Sequence, residues 1–376
     1  MHLGMVAGEA SGDLLAALLM GGLKARWPSL HAVGIGGPDM TAQGFEAWWP
    51  SDRLAVHGYS EALKVYAPLV ALRRRLGDRL LAERPAAFVG IDAPDFNLGL
   101  EARLKAAGLK TVHFVCPSVW AWRGGRVNKL AESADHVLCL FPFEPPLLAR
   151  AGVRASYVGH PLADAIALVP PRAAARAQLG LHERDVVVAV LPGSRRGEIG
   201  QIAPAFVRAA QRLCAARQDV RCVLPIAPGL RPAIELIVAE AGAQQAVQLV
   251  DGQSHAVMAA SDVVMVASGT AALEAALFKR PMVIGYRLAW LSWQLMRRMR
   301  YQPWVGLPNI LASEFVVPEL LQDALTPEAL AREVLRWLDD RPAAERVEAR
   351  FHELHLSLRR DTARAATDAI AQTLET

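Results

Sequence analysis

The sequence predicts an α/β fold of two open parallel-sheet domains facing each other across a cleft. Short Val- and Ile-rich runs alternate with amphipathic stretches of ten or more residues, the pattern of right-handed βαβ units. A proline-rich stretch at 159–180 interrupts that rhythm, and the alternation then starts again. At 376 residues the chain also exceeds the size at which one hydrophobic core usually keeps growing.

In the first half, HLGMVAG (2–8) reads as a strand and GDLLAALLMGGLKARW (12–27) as a helix. AVGIGG (32–37) is a strand, LVALRRRLGDRLLAERP (69–85) a helix and AAFVGID (86–92) a strand. FNLGLEARLKAAG (96–108) is a helix, followed by strands KTVHFVC (110–116) and HVLCLF (136–141). The second half opens with strand DVVVAVLPGS (185–194) and a helix from about Pro204 to Ala216. RCVLPIA (221–227), helix 229–242, AVQLV (246–250), DVVMVAS (262–268), helix 270–279 and PMVIGY (281–286) complete it. The remainder, 326–376, is helical and charged.

Composition narrows the class. Apolar residues at 53% and charged residues at 21% describe a compact chain and exclude disorder. A net charge of +4 is too mild to indicate nucleic acid. The four cysteines lack metal-ligand spacing and read as reduced core thiols. The start lacks a basic leader and carries Glu9 and Asp13 early, so no signal peptide is expected. No apolar run reaches the ~18 residues of a spanning helix, so the chain is expected to be soluble or to lie on a surface.

In open α/β sheets ligands bind beyond the carboxyl ends of the strands. After the first strand comes VAGEASGD, where Gly8 and Gly12 permit a tight turn and Ser11 or Asp13 could cap the next helix. Glu9 has no such structural task. The spacing is not that of a dinucleotide fingerprint. In FVGIDAPDFN, Asp95 is placed to cap a helix, which leaves Asp92 as the carboxylate to be used, a general base or a plain loop residue. The second half has two anion-binding turns. Gly193, Ser194 and Arg195 follow a strand directly, and Arg offers phosphate a forked donor. Ser268, Gly269 and Thr270 join a strand to a helix whose free amides attract negative charge. Glu274, one turn up, could grip a diol such as ribose. Two such turns without a Walker lysine favour a nucleotide diphosphate over ATP hydrolysis.

The strings VAGEASGD, FVGIDAPDFN, PSVWAWR, GHPLAD, LPGSR, ASGTAALE, PMVIGYR, LPNILA and FHELH run in the order and rough spacing of one family. The chain resembles the bacterial lipid-A-disaccharide synthases from its first residues to about residue 355. The resemblance implies an inverting glycosyltransferase of the GT-B architecture, with two Rossmann-like domains and no metal or other cofactor. Its donor would be UDP-2,3-diacylglucosamine and its acceptor 2,3-diacylglucosamine 1-phosphate, joined by a β(1→6) bond with release of UDP. Residues 1–165 would hold the acceptor and 172–345 the UDP-sugar. The tail 346–376 would pack back on the first domain or on a partner subunit, a homodimer being left open. Asp92 would be the catalytic base and Glu9 its assistant. Gly193, Ser194, Arg195 and the 268–270 turn would meet the diphosphate, Glu274 the ribose, and Asn309 would line the donor side. A hinge near 159–171 would close the domains.

The acylated substrates imply work at the cytoplasmic face of the inner membrane without spanning it. Val65, Leu69 and Leu72 beside Arg73 and Arg74 are the expected acyl and membrane contact, and 290–304 mixes Trp, Leu and Met with Arg in the same way. The alternative is that these apolar faces are core. Rival readings are a peptidoglycan transferase or UDP-sugar epimerase of the same architecture, a non-catalytic nucleotide-sugar binder, and, weakest, a nicotinamide dehydrogenase.

Overall fold

A computed structural model describes residues 1–54, 62–120, 126–288, 293–294 and 302–375, with side chains from residue 67 onward in the second segment. The chain divides into two compact units, 1–164 with 358–376 and 165–357. It therefore passes between them twice.

The first unit holds seven parallel strands: β1 (His2–Ala7), β2 (His31–Gly36), β3 (Glu46–Pro50), β4 (Ala87–Ile91), β5 (Lys110–Phe114), β6 (His136–Cys139) and β7 (Ala155–Tyr157). Their order is β3-β2-β1-β4-β5-β6-β7. Central strands are buried on both faces, and alternate residues feed different cores. Leu3, Met5, Val89 and Phe114 pack with helix Ala10–Arg26 and with Ile370 of helix Thr362–Glu375. Val6, Ile35 and Phe88 pack instead with Leu72, Leu76, Leu80 and Leu100.

The second unit repeats the plan with β8 (Val186–Leu191), β9 (Val220–Ile226), β10 (Val247–Asp251), β11 (Val263–Ala267), β12 (Met282–Tyr286) and β13 (Glu319–Leu321). The order is β10-β9-β8-β11-β12-β13, again parallel. Its core gathers Val188, Val190, Phe206, Leu224 and Met265. Both orders reverse direction next to their first strand, between β1 and β4 and between β8 and β11, and such switch points open crevices for ligands.

Several boundaries differ from the sequence reading. Strands β3, β7 and β13 were not expected. The helix expected from Pro204 starts at Arg196 and carries Pro204 in its interior. The 159–180 stretch contains helices Pro161–Ala165 and Arg172–Gln178. Helix Arg341–Leu358 runs unbroken, so 346–357 are counted with the second unit. Only the final helix returns to the first. There Asp164 accepts from the Asp361 and Thr362 amides (3.0 and 2.7 Å), and a Cβ on Gly22 would lie 2.6 Å from Ala363 O, so the helices touch at backbone distance.

Candidate active site

At the first switch point, the ends of β1 and β4 open a cavity of about 640 Å³ lined by Glu9, Asp92, Arg73, Lys129, Leu69 and Val70 among others. The structure thus brings Glu9 and Asp92 together. Gly8 allows the two turns to approach, since a Cβ there would lie 3.0 Å from Ala93 Cβ. Asp92 and Ala93 both have left-handed backbone, φ 50° and 42°. Non-glycine residues pay about 1–2 kcal/mol each for this, and surrounding bonds hold the turn in place. Buried Asn97 donates through Nδ2 to Asp92 O (2.8 Å), while the Phe96 and Asn97 amides both donate to Ala93 O (3.0 Å). Burial raises the Asp92 carboxyl from its ordinary value and Glu9 adds to this, against the pull of His113 and the Ala93 amide. A carboxylate of raised basicity, half-buried at a cavity wall, is a competent proton acceptor.

Two capping expectations are corrected. Asp95 is not the N-cap: helix Pro94–Ala106 is capped at Ala93, and Asp95 sits in its first turn, 85% exposed, where it accepts from Arg126 Nη2 at 2.7 Å. Asp13 does not cap its own helix either. It is buried and accepts from the amides of Gly37 (2.8 Å), Asp39 (2.9 Å) and Met40 (3.2 Å), fixing the turn after β2.

At the second switch point a cavity of about 420 Å³ is lined by Gly193, Ser194, Arg195, Ser268, Gly269 and Thr270, all six expected residues of the two turns, and by Glu274 on the helix that follows. Gly193 (φ 116°) and Gly269 (φ 145°) adopt backbone that side-chain-bearing residues rarely reach. Gly269 is the N-cap of helix Thr270–Leu277, whose first amides lack intrahelical partners. Ser268 Oγ donates to Val305 O at 3.4 Å. Arg195 is 78% exposed, 3.6 Å from Glu198, so its guanidinium is available at the cavity. Glu274 Oε1 lies 3.1 Å from His255 Nε2. That hydrogen bond raises the His255 pKa despite burial, and the residue is one the sequence reading missed.

Asn309 is corrected. It is fully buried and does not line this cavity. Its Nδ2 donates to Val317 O (2.9 Å) and Glu319 Oε1 (2.8 Å), and its Oδ1 accepts from the Val316 and Val317 amides (2.9 and 3.0 Å). Glu319 in turn accepts from the Val305 and Gly306 amides, so Asn309 braces the loop that Ser268 contacts. Its hydrogen bonding is spent internally.

The other expected contacts divide. Leu72 is 8% exposed and belongs to the core, so it is not an acyl or membrane contact. Leu69 and Arg73 line the Asp92 cavity, and Arg74 is exposed. The Val65 side chain lies outside the described residues, as does most of 290–304. Among the described residues, Cys116, Cys139 and Glu144 bring metal-capable atoms within 4.8 Å, which spacing alone did not suggest. Both Glu144 oxygens already accept, from Trp120 Nε1 and the Phe141 amide.

A family profile described as lipid-A-disaccharide synthetase matches residues 3–373. The chain belongs to this family. Lipid-A-disaccharide synthases from Verminephrobacter eiseniae and Burkholderia vietnamiensis are 59% and 53% identical to it, over 98% and 100% of this chain and 96% and 97% of theirs. The chain is accordingly a glycosyltransferase of lipid A biosynthesis that uses lipid A precursors. Solved structures confirm the two-unit Rossmann-like fold. UDP-GlcNAc 2-epimerase from Neisseria meningitidis, bound to UDP-GlcNAc, has a TM-score of 0.66 at 11% identity, covering 100% of both chains. An S. aureus MnaA–UDP co-structure has a TM-score of 0.63 at 13% identity over 100% of this chain and 95% of that one. Likeness to epimerases at that level concerns fold alone, so the epimerase reading is not favoured over the synthase family. Among the described residues no helix is long and apolar enough to cross a membrane.

Proposed function

We propose that the first unit holds 2,3-diacylglucosamine 1-phosphate and the second UDP-2,3-diacylglucosamine, and that Asp92 is the base that drives their β(1→6) union. Asp92 takes the proton of the acceptor 6-hydroxyl. The oxygen attacks the anomeric carbon as the bond to UDP breaks, and a single displacement inverts configuration. Charge growing on the diphosphate meets the Gly193–Ser194 turn, Arg195 and the amides after Gly269, donors set in place before the reaction. Glu274 accepts from the ribose and Glu9 orients the acceptor. The observation that carries this reading is the paired construction. One switch point presents two carboxylates in a cavity, and the other presents two glycine turns and a helix start.

The acceptor cavity has a cationic side as well. Arg73 and Lys129 line it with Glu9 and Asp92, and Lys129 pairs with no carboxylate among the described residues. A substrate carrying both a hydroxyl to deprotonate and a phosphate fits that polarity. This reading assigns no role to a metal: Arg195 and the donor turns are to supply the positive field, and Asp95 pairs with Arg126. The exposed face around Val70, Arg74 and Arg75 is the proposed contact with the cytoplasmic surface of the inner membrane. UDP release measured with both acylated glucosamines, and with each omitted in turn, tests the reading. Release that does not depend on the acceptor would refute the transfer.

A further inference from the structure

Glu274 stands on the wall of the donor cavity, and one of its oxygens is already held by a residue outside that wall. His255 Nε2 lies 3.1 Å from Glu274 Oε1. A carboxylate can only accept, so the imidazole is the donor in this bond. His255 does not line the cavity, although its neighbours Gly252 and Ser254 do. Local structure fixes where the ring stands. β10 ends at Asp251, and the Gly252 amide donates to Ile226 O at 2.8 Å, tying the turn to the end of β9. Gly252 and Gln253 are both left-handed (φ 61° and 58°), and helix Ser254–Ala260 starts directly after them with His255 in its first turn. From there the imidazole meets two residues one helical turn apart. It bonds Glu274 within helix Thr270–Leu277, and it packs edge-on against buried Phe278, which caps that helix, with ring centroids 5.4 Å apart at 61°. Glu274 Oε2 has no hydrogen-bond partner among the described residues. Ordering a long, unheld side chain when a ligand arrives costs free energy, and a donor that holds it beforehand reduces that cost.

We infer that His255 is a positioning residue that holds Glu274 ready for the ribose hydroxyls, and so gives the donor cavity a preference for a ribonucleotide over a deoxyribonucleotide. The inference rests on Glu274 being the ribose ligand. The imidazole acts through Glu274, by holding Oε1 and leaving Oε2 for a ligand hydroxyl. Its Nε2 donates whether or not Nδ1 also carries a proton, so no charge on His255 is needed. The other charged side chains of the cavity, Arg195 and Glu198, pair with each other at 3.6 Å, and replacing His255 leaves both in place.

Titration calorimetry with UDP and with 2′-deoxy-UDP tests this on the unaltered chain, His255→Ala, Glu274→Ala and the double variant. His255→Ala should weaken UDP by about three- to tenfold, the range of one hydrogen bond. It should weaken 2′-deoxy-UDP less, so that the preference between the two narrows. On the Glu274→Ala background the same replacement should change neither affinity, because nothing is left to position. His255→Gln, which offers an amide donor in place of the ring N–H, should keep most of the UDP affinity. His255→Ala that binds UDP as tightly as the unaltered chain overturns the inference. So does a loss equal for the two nucleotides, or one that adds in full to the loss in Glu274→Ala, since His255 would then act by some route other than Glu274. Glu274→Ala with both affinities unchanged would instead remove the ribose assignment itself, and the two failures are thereby distinct.

Discussion

The backbone N–H of Asp92 donates to the carbonyl oxygen of Phe114 at 2.8 Å. That bond carries the β4–β5 ladder one residue past the end of β4, at the point where the backbone turns left-handed. With Asn97 Nδ2 on Asp92 O, both main-chain groups of Asp92 are engaged by other residues. Neither bond depends on the carboxylate. A change confined to it should be felt as chemistry and not as a loss of structure.

The donor turns make a binding prediction. Arg195→Ala and Glu274→Gln should each weaken UDP by on the order of 1.5–3 kcal/mol, the cost of a lost charge-assisted hydrogen bond. Titration calorimetry reads this directly. Unchanged UDP affinity in both variants would contradict placing the nucleotide in the second unit.

The cations of the acceptor cavity make a second prediction. Lys129→Ala and Arg73→Ala should raise KM for the 1-phosphorylated acceptor and leave KM for its dephosphorylated analogue nearly unchanged. Assays in neutral detergent micelles separate this from attraction to anionic lipid. Equal loss with both acceptors would show that the cations do not read the phosphate.

The Arg-rich helix separates core from surface. Leu72→Ser empties a packed position and should cost about 2–5 kcal/mol of stability. Val70 is 38% exposed, so Val70→Ser should leave stability alone. Combined with Arg74→Gln and Arg75→Gln it should loosen binding to anionic vesicles, each basic residue contributing about 1 kcal/mol near the surface. A triple variant that still sediments fully with such vesicles would place the attachment elsewhere.

The central strands were legible because a strand buried on both faces must be a continuous apolar run, and HLGMVAG, DVVVAV and DVVMVA admit few other readings. Edge strands β3, β7 and β13 are short and half-exposed, so no run marks EAWWP, ASY or ELL. The glycine turns were legible as well, since Gly193 and Gly269 sit directly after such runs. Long-range partners were not. The amides that Asp13 binds lie on residues 37–40, and Asn309 binds across an eight-to-ten-residue loop. Glu101 and His113 look like ordinary helix and strand residues in the sequence; the fold sets His113 beside Gly90 and Glu101 against it. Leu72 shows the limit of amphipathicity. Its periodicity was visible, but what covers that face depends on β1, β2 and β4.

Glu144 makes stability depend on pH. Burial pushes its carboxyl up to about 7, against hydrogen bonds from the Phe141 amide and the Trp120 indole. The folded chain then holds that proton more tightly than the unfolded one. Its contribution is fully present below the ordinary glutamate range and is lost as pH rises through about 7. Urea unfolding should show a loss on the order of 2–3 kcal/mol between pH 5 and 8 that is absent in Glu144→Gln. Equal pH dependence in the two proteins would contradict the assignment.

The most direct test of the account is steady-state kinetics of Asp92→Asn with both acylated substrates, with UDP binding measured on the same preparation. Asparagine keeps the shape of the side chain and leaves the bonds to Phe114 and Asn97 intact. General-base catalysis contributes ~10²–10⁴-fold, so kcat should fall by about that factor while UDP affinity stays as it was. A folded Asp92→Asn that retains more than roughly a tenth of the unaltered kcat would contradict the assignment of Asp92 as the base.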